Sequence, residues 1–313
     1  MNGWDFSILW AAGQAVLHGQ DPYGVAHFYY PLPLAYALAG ISWLPLPVAY
    51  YLWLAMNLGL LIAFFRRRFW QWLLYAPVLH MLSSGQVEFA WWCMERGVGR
   101  HWRGAILAAL ITLKPQTALY LLPWHLWDWA QHDRRTLFRW VGLTILVWGI
   151  PCIWQPAWIA DWLHAAPDYS LLSASNAPGI FSLLRLFPAT WPVLALAAVA
   201  ILVWGVQQRE EIARAATMLA APVGLFYSTM GLLDCAPAWL LTPISLLAVG
   251  LSLLTGTFVP FLMLPLAVIG WHCQGRRGIG FCKNPRESAV SEPVCGRTLA
   301  ALAPLAGRRG WAR

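Results

Sequence analysis

Long apolar runs separated by short basic clusters give this chain its pattern. From Pro31 to Phe65 the sequence is apolar, broken by Pro45 and Pro47. That is more than a single span of about 20 residues uses, so the pattern predicts a short helix to about Leu44 and a fuller one after it. Arg66, Arg67 and Arg68 close the run. The next stretch, Phe69 to Met94, reaches a second basic group at Arg96, Arg100 and Arg103, with a polar break at Ser83-Ser84-Gly85-Gln86 midway. Gly104 to Trp127 is likewise interrupted by Lys114-Pro115-Gln116 and ends at Arg134, Arg135 and Arg139. Basic residues collect on the inner side of a membrane. Two basic flanks therefore predict a hairpin of two short helices, its polar tip buried or facing outward. A full crossing would leave Lys114 near mid-membrane at a cost of about 2.5–3.5 kcal/mol.

A span from about Trp140 to Trp154 precedes a polar stretch, Trp158 to Gly179, holding Asp161, His164, Asp168, Tyr169, Ser173, Ser175 and Asn176. It belongs on the same outer side as Asp5. Segments 180–205, 215–233, 236–253 and 257–271 supply further spans, with Arg209, Glu210, Glu211 and Arg214 inside. Three full spans after Arg214 would put the basic tail outside, against the charge rule, so one of them is expected to be re-entrant.

The stretch Trp4 to Pro33 is neither greasy span nor charged tail. Ile8, Leu9, Ala12, Ala15 and Val16 recur at three- and four-residue spacing and predict a short amphipathic helix over about Phe6–His18, with Gly19 as its stop. Asp21-Pro22-Tyr23-Gly24 reads as a turn. Trp4, Trp10, Tyr23, Phe28, Tyr29 and Tyr30 suit an element lying at the membrane surface. The organisation expected is a first outer loop with this helix (1–30), a multi-span domain of about eight to ten membrane segments, some of them short hairpins (31–271), and a basic, disordered tail (272–313).

Composition fixes the class. The 313 residues are 59% hydrophobic and 11% charged, with a mean hydropathy of +0.55, against about 45–50% and 25% in soluble domains. The fold class expected is all-α, a polytopic transmembrane helical bundle. Many of the 22 tryptophans stand at the ends of apolar runs, as interfacial anchors do. Met1-Asn2-Gly3-Trp4-Asp5 has neither the basic start nor the apolar core of a cleavable signal peptide. The net charge of +8 is uneven: +6 falls from His272 onward and +2 on the 271 residues before it. The body thus offers nothing to a nucleic acid, and the tail marks a face near anionic lipid. Cys93, Cys152 and Cys235 lie in or beside apolar runs, and Cys273, Cys282 and Cys295 lack metal-site spacing, so neither disulfide nor zinc is assigned.

Read together, the motifs resemble a family. Trp4-Asp5-Phe6, Gly19-Gln20-Asp21-Pro22-Tyr23 and Phe28-Tyr29-Tyr30-Pro31-Leu32-Pro33 are similar to the opening of bacterial glycosyltransferase family 87. Trp53 with Asn57, Gly85-Gln86-Val87, Leu113-Lys114-Pro115-Gln116, Ser175-Asn176 before Phe181-Ser182-Leu183-Leu184-Arg185, and Ala221-Pro222 with Tyr227 continue it over about residues 4–245. The resemblance implies a C-type glycosyltransferase of the bacterial plasma membrane, with its active site on the outer face. It would move a hexosyl group, typically mannosyl, with inversion from a polyprenyl-phosphate donor to a lipid or glycan acceptor, without nucleotide sugar or other cofactor. Asp5 stands where the family has its base. Members carry a transmembrane helix ahead of this element, where the present sequence begins at Met1, and usually a histidine near the position of Phe226 and Tyr227, where this sequence has none. The tail after Trp271 matches nothing in the family.

The chemistry agrees with these residues on its own terms. An acceptor hydroxyl attacking an anomeric carbon needs a carboxylate to take its proton, which nominates Asp5. The departing phosphate needs positive charge, so metal is optional where a cation is supplied; Lys114 is the first candidate and Arg185 the second. Gln86, Gln116, Asn176, Asp21 and Tyr23 are the candidates for sugar and acceptor. Plainer roles stand beside them: Asp5 as a helix N-cap, Asp21 as turn chemistry, Lys114 paired with Glu88, Arg185 as a snorkelling span end, Gln86 capping a turn. A lipid or solute transporter would also explain the spans and a buried lysine, but not the Asp5 helix with its aromatic turn. A structural membrane subunit and an inactive truncated member are the remaining alternatives.

Overall fold

The computed structural model describes residues 3–165, 176–222 and 226–274. The chain divides into two units, Met1–His272 and Cys273–Arg313, and the helices below lie in the first, the last of them running on to Gln274. The described residues are almost wholly helical and contain no strand. The chain is an all-α polytopic membrane protein.

Prolines set where the helices begin. A proline already lacks the N–H that a first turn leaves unpaired, and its φ suits that turn. It stands in the first turn of α2 (Leu32–Ser42), α3 (Leu46–Phe65), α5 (Ala76–Ser84), α8 (Pro115–Leu121), α9 (Pro123–His132) and α11 (Trp191–Val206). Between these lie α1 (Trp4–Leu17), α4 (Phe69–Leu73), α6 (Glu88–Glu95), α7 (Trp102–Ile111) and α10 (Arg134–Gly149). The chain continues with α12 (Glu210–Ala220), α13 (Ala238–Thr255) and α14 (Met263–Gln274).

Four segments among the described residues are long and apolar enough to cross a membrane: Leu46–Leu73, Arg134–Ile153, Pro188–Val206 and Ala238–Thr255. They turn large apolar side chains outward, such as Leu52 and Ile62 on α3, Ile145 on α10, Leu196 and Val199 on α11, and Leu253 and Leu254 on α13. Lipid tails are as apolar as these side chains, so nothing penalises that exposure. The short helices behave oppositely. In α12 every residue from Ile212 to Ala220 is buried, and the small side chains Ala213, Ala215 and Ala216 let neighbours approach on all sides.

The short helices leave one end of the bundle and return to it. Arg100, before α7, holds Asp128 of α9 through its Nε at 2.7 Å, so the excursion broken at Lys114 comes back to its start. The stretch after Arg209 does the same: α12 departs, and the 3₁₀ turn Phe226–Leu232 brings Asp234 back to within 3.5 Å of Arg214. The segment after Arg209 thus leaves and returns to the same charged cluster. From there α13 and α14 run out and back, and His272 Nε2 lies 2.7 Å from the Cys235 carbonyl.

Helix α1 is fastened above these excursions by two glycines. A Cβ on Gly13 would collide with the Ser42 hydroxyl and lie 3.0 Å from the Ala39 amide of α2. Gln14 Nε2 donates to the Ser42 carbonyl there, and Trp10 Nε1 to that of Leu44 at 2.9 Å. Gly85 closes α5 in the left-handed region at φ +76°, and a Cβ on it would lie 2.6 Å from that of Phe6. Only glycine meets both demands at that point. Gly85→Ala is therefore expected to lower stability by about 1–3 kcal/mol and to lift the Asp5 end of α1; thermal unfolding in detergent and transfer activity together check it, and an unchanged melting temperature would contradict the close approach.

Candidate active site

The breaks in the short helices meet. Lys114, 3% exposed, immediately precedes α8. Its Nζ binds Glu88 Oε1 at the start of α6 and donates to Gln86 Oε1 at 3.2 Å. The Gln86 amide in turn donates to the Tyr227 hydroxyl at 3.2 Å. The ammonium also lies 5.5 Å from the ring centres of both Tyr30 and Tyr227, where the quadrupole of an aromatic face attracts a cation. Bare burial of an ammonium is expensive; a carboxylate, an amide and two ring faces offset it here.

Asp5 lies within electrostatic range of Tyr30, Glu88 and His80. It is half-buried and has no hydrogen bond or ion pair with the described residues. Its role as N-cap is not what the structure has: Gly3 holds that position without a side-chain cap, and Asp5 sits inside the first turn, where its charge still favours the helix dipole. His80 of α5 stacks on Tyr227 at 5.3 Å and 7°, with Phe226 at 4.6 Å. An imidazole thus occupies the neighbourhood of Phe226 and Tyr227, but it is borne by another helix.

The other nominated residues scatter. Arg185 ends the 3₁₀ helix Ile180–Arg185, is exposed, and has no hydrogen bond or ion pair with the described residues. Asn176 is half-buried before the buried Ala177. Gln116 lies two residues beyond Lys114, with its Oε1 buried and unpartnered. Asp21 accepts from the Tyr23 amide at 3.0 Å and caps the turn Pro22–Gly24. The Tyr23 ring packs against Phe28 at 6.0 Å, and burial pushes its phenol above the ordinary range. Asp168 and Ser175 lie outside the described residues. Tyr30 belongs to the aromatic motif before α2 and His80 to no motif; the groups that both meet are far away in the chain.

A second charged cluster lies seven residues further along α6, a rise of about 10 Å. Arg214 Nη2 is 2.8 Å from Glu95 Oε1 and 2.6 Å from Glu210 Oε1. His125 Nε2 lies 2.8 Å from Glu95, and Arg96 bridges Glu210 at 3.2 Å and Asp234 at 3.4 Å. Glu95, His125 and Glu210 are close enough together to hold a metal ion, but the Arg214 guanidinium already binds both carboxylates. The cluster is an ion-pair hub joining the bases of the short helices. A cavity of about 730 Å³ adjoins it, lined by Arg68, Glu211, Asp234, Trp239, Trp271 and His272 among others; Lys114 and Asp5 are not in its wall.

Fold and site define a class: a helical membrane protein with a buried cation, Lys114, and a half-buried carboxylate, Asp5, that share the neighbour Glu88. The family model of glycosyltransferase family 87 matches residues 28–233. The chain belongs to that family and is a membrane glycosyltransferase. The match takes in Tyr30, Gln86, Glu88, Lys114, Gln116, Asn176, Arg185 and Tyr227, while Asp5, Asp21 and Tyr23 precede it. No curated protein and no solved structure matches the chain.

Two expectations follow. Lys114→Met strands the Glu88 charge and should cost about 3–5 kcal/mol, whereas Lys114→Met with Glu88→Met recovers most of it; thermal unfolding of the single and double variants measures this, and additive losses would contradict a buried pair. In the hub, desolvation raises the Asp234 carboxyl to about 6 against the pull of Arg96 and Arg214. A raised carboxyl binds its proton more readily folded than unfolded, so its contribution is complete below the ordinary value of 3.8 and is lost as pH rises through about 6. Asp234→Asn should flatten that part of the melting-temperature profile between pH 4 and 7, and a profile unchanged by the substitution would contradict it.

Proposed function

We propose that the protein transfers a hexosyl group, in the first instance mannosyl, from a polyprenyl-phosphate sugar to a hydroxyl of a lipid or glycan acceptor. The reaction inverts the anomeric centre and takes place at the outer face of the bacterial plasma membrane. The observation that carries this reading is the pairing of an unpartnered carboxylate, Asp5, with a buried lysine, Lys114, through their common neighbours Glu88 and Tyr30.

Each group has one task. The acceptor oxygen forms a bond to the anomeric carbon as that carbon's bond to the phosphate oxygen breaks. Asp5 takes the proton that the acceptor hydroxyl releases. The donor phosphate leaves as a monoester with one more negative charge than it carried in the diester. Lys114 answers that charge in a site of low dielectric, where a fixed cation is worth most. In the resting site Glu88 already holds the ammonium, so the phosphate shares it with Glu88. Gln86, held between Lys114 and Tyr227, fixes the ammonium's direction. His80 is placed to offer a further N–H beside Tyr227. The basic groups Arg66–Arg68 and Arg134–Arg135, by the charge rule, assign the inner side and support an outward-facing Asp5.

Transfer of labelled mannose from polyprenyl-phosphate-mannose, in membranes expressing the chain, tests this. Asp5→Asn should lower turnover by about 10²–10⁴-fold at unchanged melting temperature. Equal transfer by both proteins would remove Asp5 as base, and absence of transfer by the unaltered chain would overturn the reading itself.

A further inference from the structure

The carboxylate that neutralises Lys114 is only half used. Glu88 is 2% exposed and gives Oε1 to the ammonium. Its Oε2 is sealed from solvent and, among the described residues, has no partner beyond the residue's own amide. Buried carboxylate oxygens without a donor are rare in native proteins, because the desolvation they suffer is then uncompensated. Two more unpartnered buried atoms stand close by in the chain: Ser84 Oγ, two residues before Gln86, and Gln116 Oε1, two residues after Lys114. Gln86 itself is satisfied at both ends of its amide.

The missing partner has a definable chemistry. Glu88 Oε2 and Gln116 Oε1 can only accept, so the ligand must donate. A second cation is disfavoured, since Glu88 is already neutralised by Lys114 and the newcomer would face that ammonium. An apolar lipid chain offers no donor. What remains is a neutral O–H donor, a water or a substrate hydroxyl, and the neighbouring cation favours a substrate that brings a phosphate with it.

Resting on the transferase reading above, we propose that Glu88 reads the transferred sugar: Oε1 stays on Lys114 while Oε2 accepts from one ring hydroxyl beside the departing phosphate. Asp5 and Glu88 then divide the work of two carboxylates. Asp5 is half-buried and unpaired and receives the acceptor's proton; Glu88, sealed and ion-paired, holds the sugar and selects it. One side chain thereby couples sugar recognition to the cation that stabilises the leaving group.

A site built to bind a substrate hydroxyl strongly rejects the analogue that lacks it. The test compares polyprenyl-phosphate-mannose with its 2-, 3-, 4- and 6-deoxy forms in the transfer assay. The unaltered chain should reject one of the four by at least about 100-fold in kcat/KM. Glu88→Gln turns its NH₂ toward the sugar and should reduce that preference below about 10-fold, leaving discrimination among the other three in place. Glu88→Asp keeps a charge for Lys114 but withdraws the carboxylate by one methylene; it should show the same selective loss and serves where Glu88→Gln does not fold. A uniform fall for all donors, or a preference equal to that of the unaltered chain, overturns the assignment and leaves Oε2 holding water only. Absence of transfer by the unaltered chain overturns both readings, so the two failures are distinct.

Discussion

A charge in an apolar bundle must find its partners before the fold can close, and in this chain that charge is Lys114. An ammonium removed from water is tolerated only when counter-charge and hydrogen bonds surround it. Here they come from the start of α6, from the turn before it, and from aromatic rings of the first loop and the 3₁₀ turn Phe226–Leu232. Satisfying one side chain therefore assembles four separate parts of the chain at one point. The same physics operates a second time at the other end of α6, where Arg214 gathers Glu95, Glu210 and Asp234. With one charged cluster at each end, α6 is a strut of fixed length. Lys114 is held at one end of it, and the ends of the spans are pinned at the other.

How much of this can be read from the sequence depends on range. Basic clusters and prolines act within a few residues, so the starts of α2, α3, α5 and α8 and the break at Lys114–Gln116 are visible directly. Residue spacing also marks Lys114 as a group that needs a partner, and Glu88 is the partner it has. Pairings across long separations leave no such trace. Gln86 meets Tyr227 across 141 positions, and His80 meets the same ring from a helix with no local reason to place it there. Spacing gives the face of a helix and not what that face will touch. Arg185 illustrates the converse: its charge and position in the chain nominate it, yet it ends exposed. The segment after Arg209 is a middle case: charge parity asks that one of the last segments turn back, and Arg214 and Asp234, near the two ends of this one, meet.

The two nominated reacting groups are held by different means. Lys114 is fixed by electrostatics in the interior, whereas Asp5 is carried on a helix fixed by shape. Gly13 lets α1 lie against Ser42, and Gly85 lets Phe6 settle beside it; neither contact involves the carboxylate. A base positioned in this way can remain half-exposed and unpaired, as proton abstraction requires, without destabilising the core. A cation positioned by a buried carboxylate cannot be released without cost, so any phosphate that reaches it must fit beside Glu88 and does not displace it. Under the proposed transfer the donor phosphate consequently lies at the buried Lys114 and the acceptor hydroxyl at the half-buried Asp5.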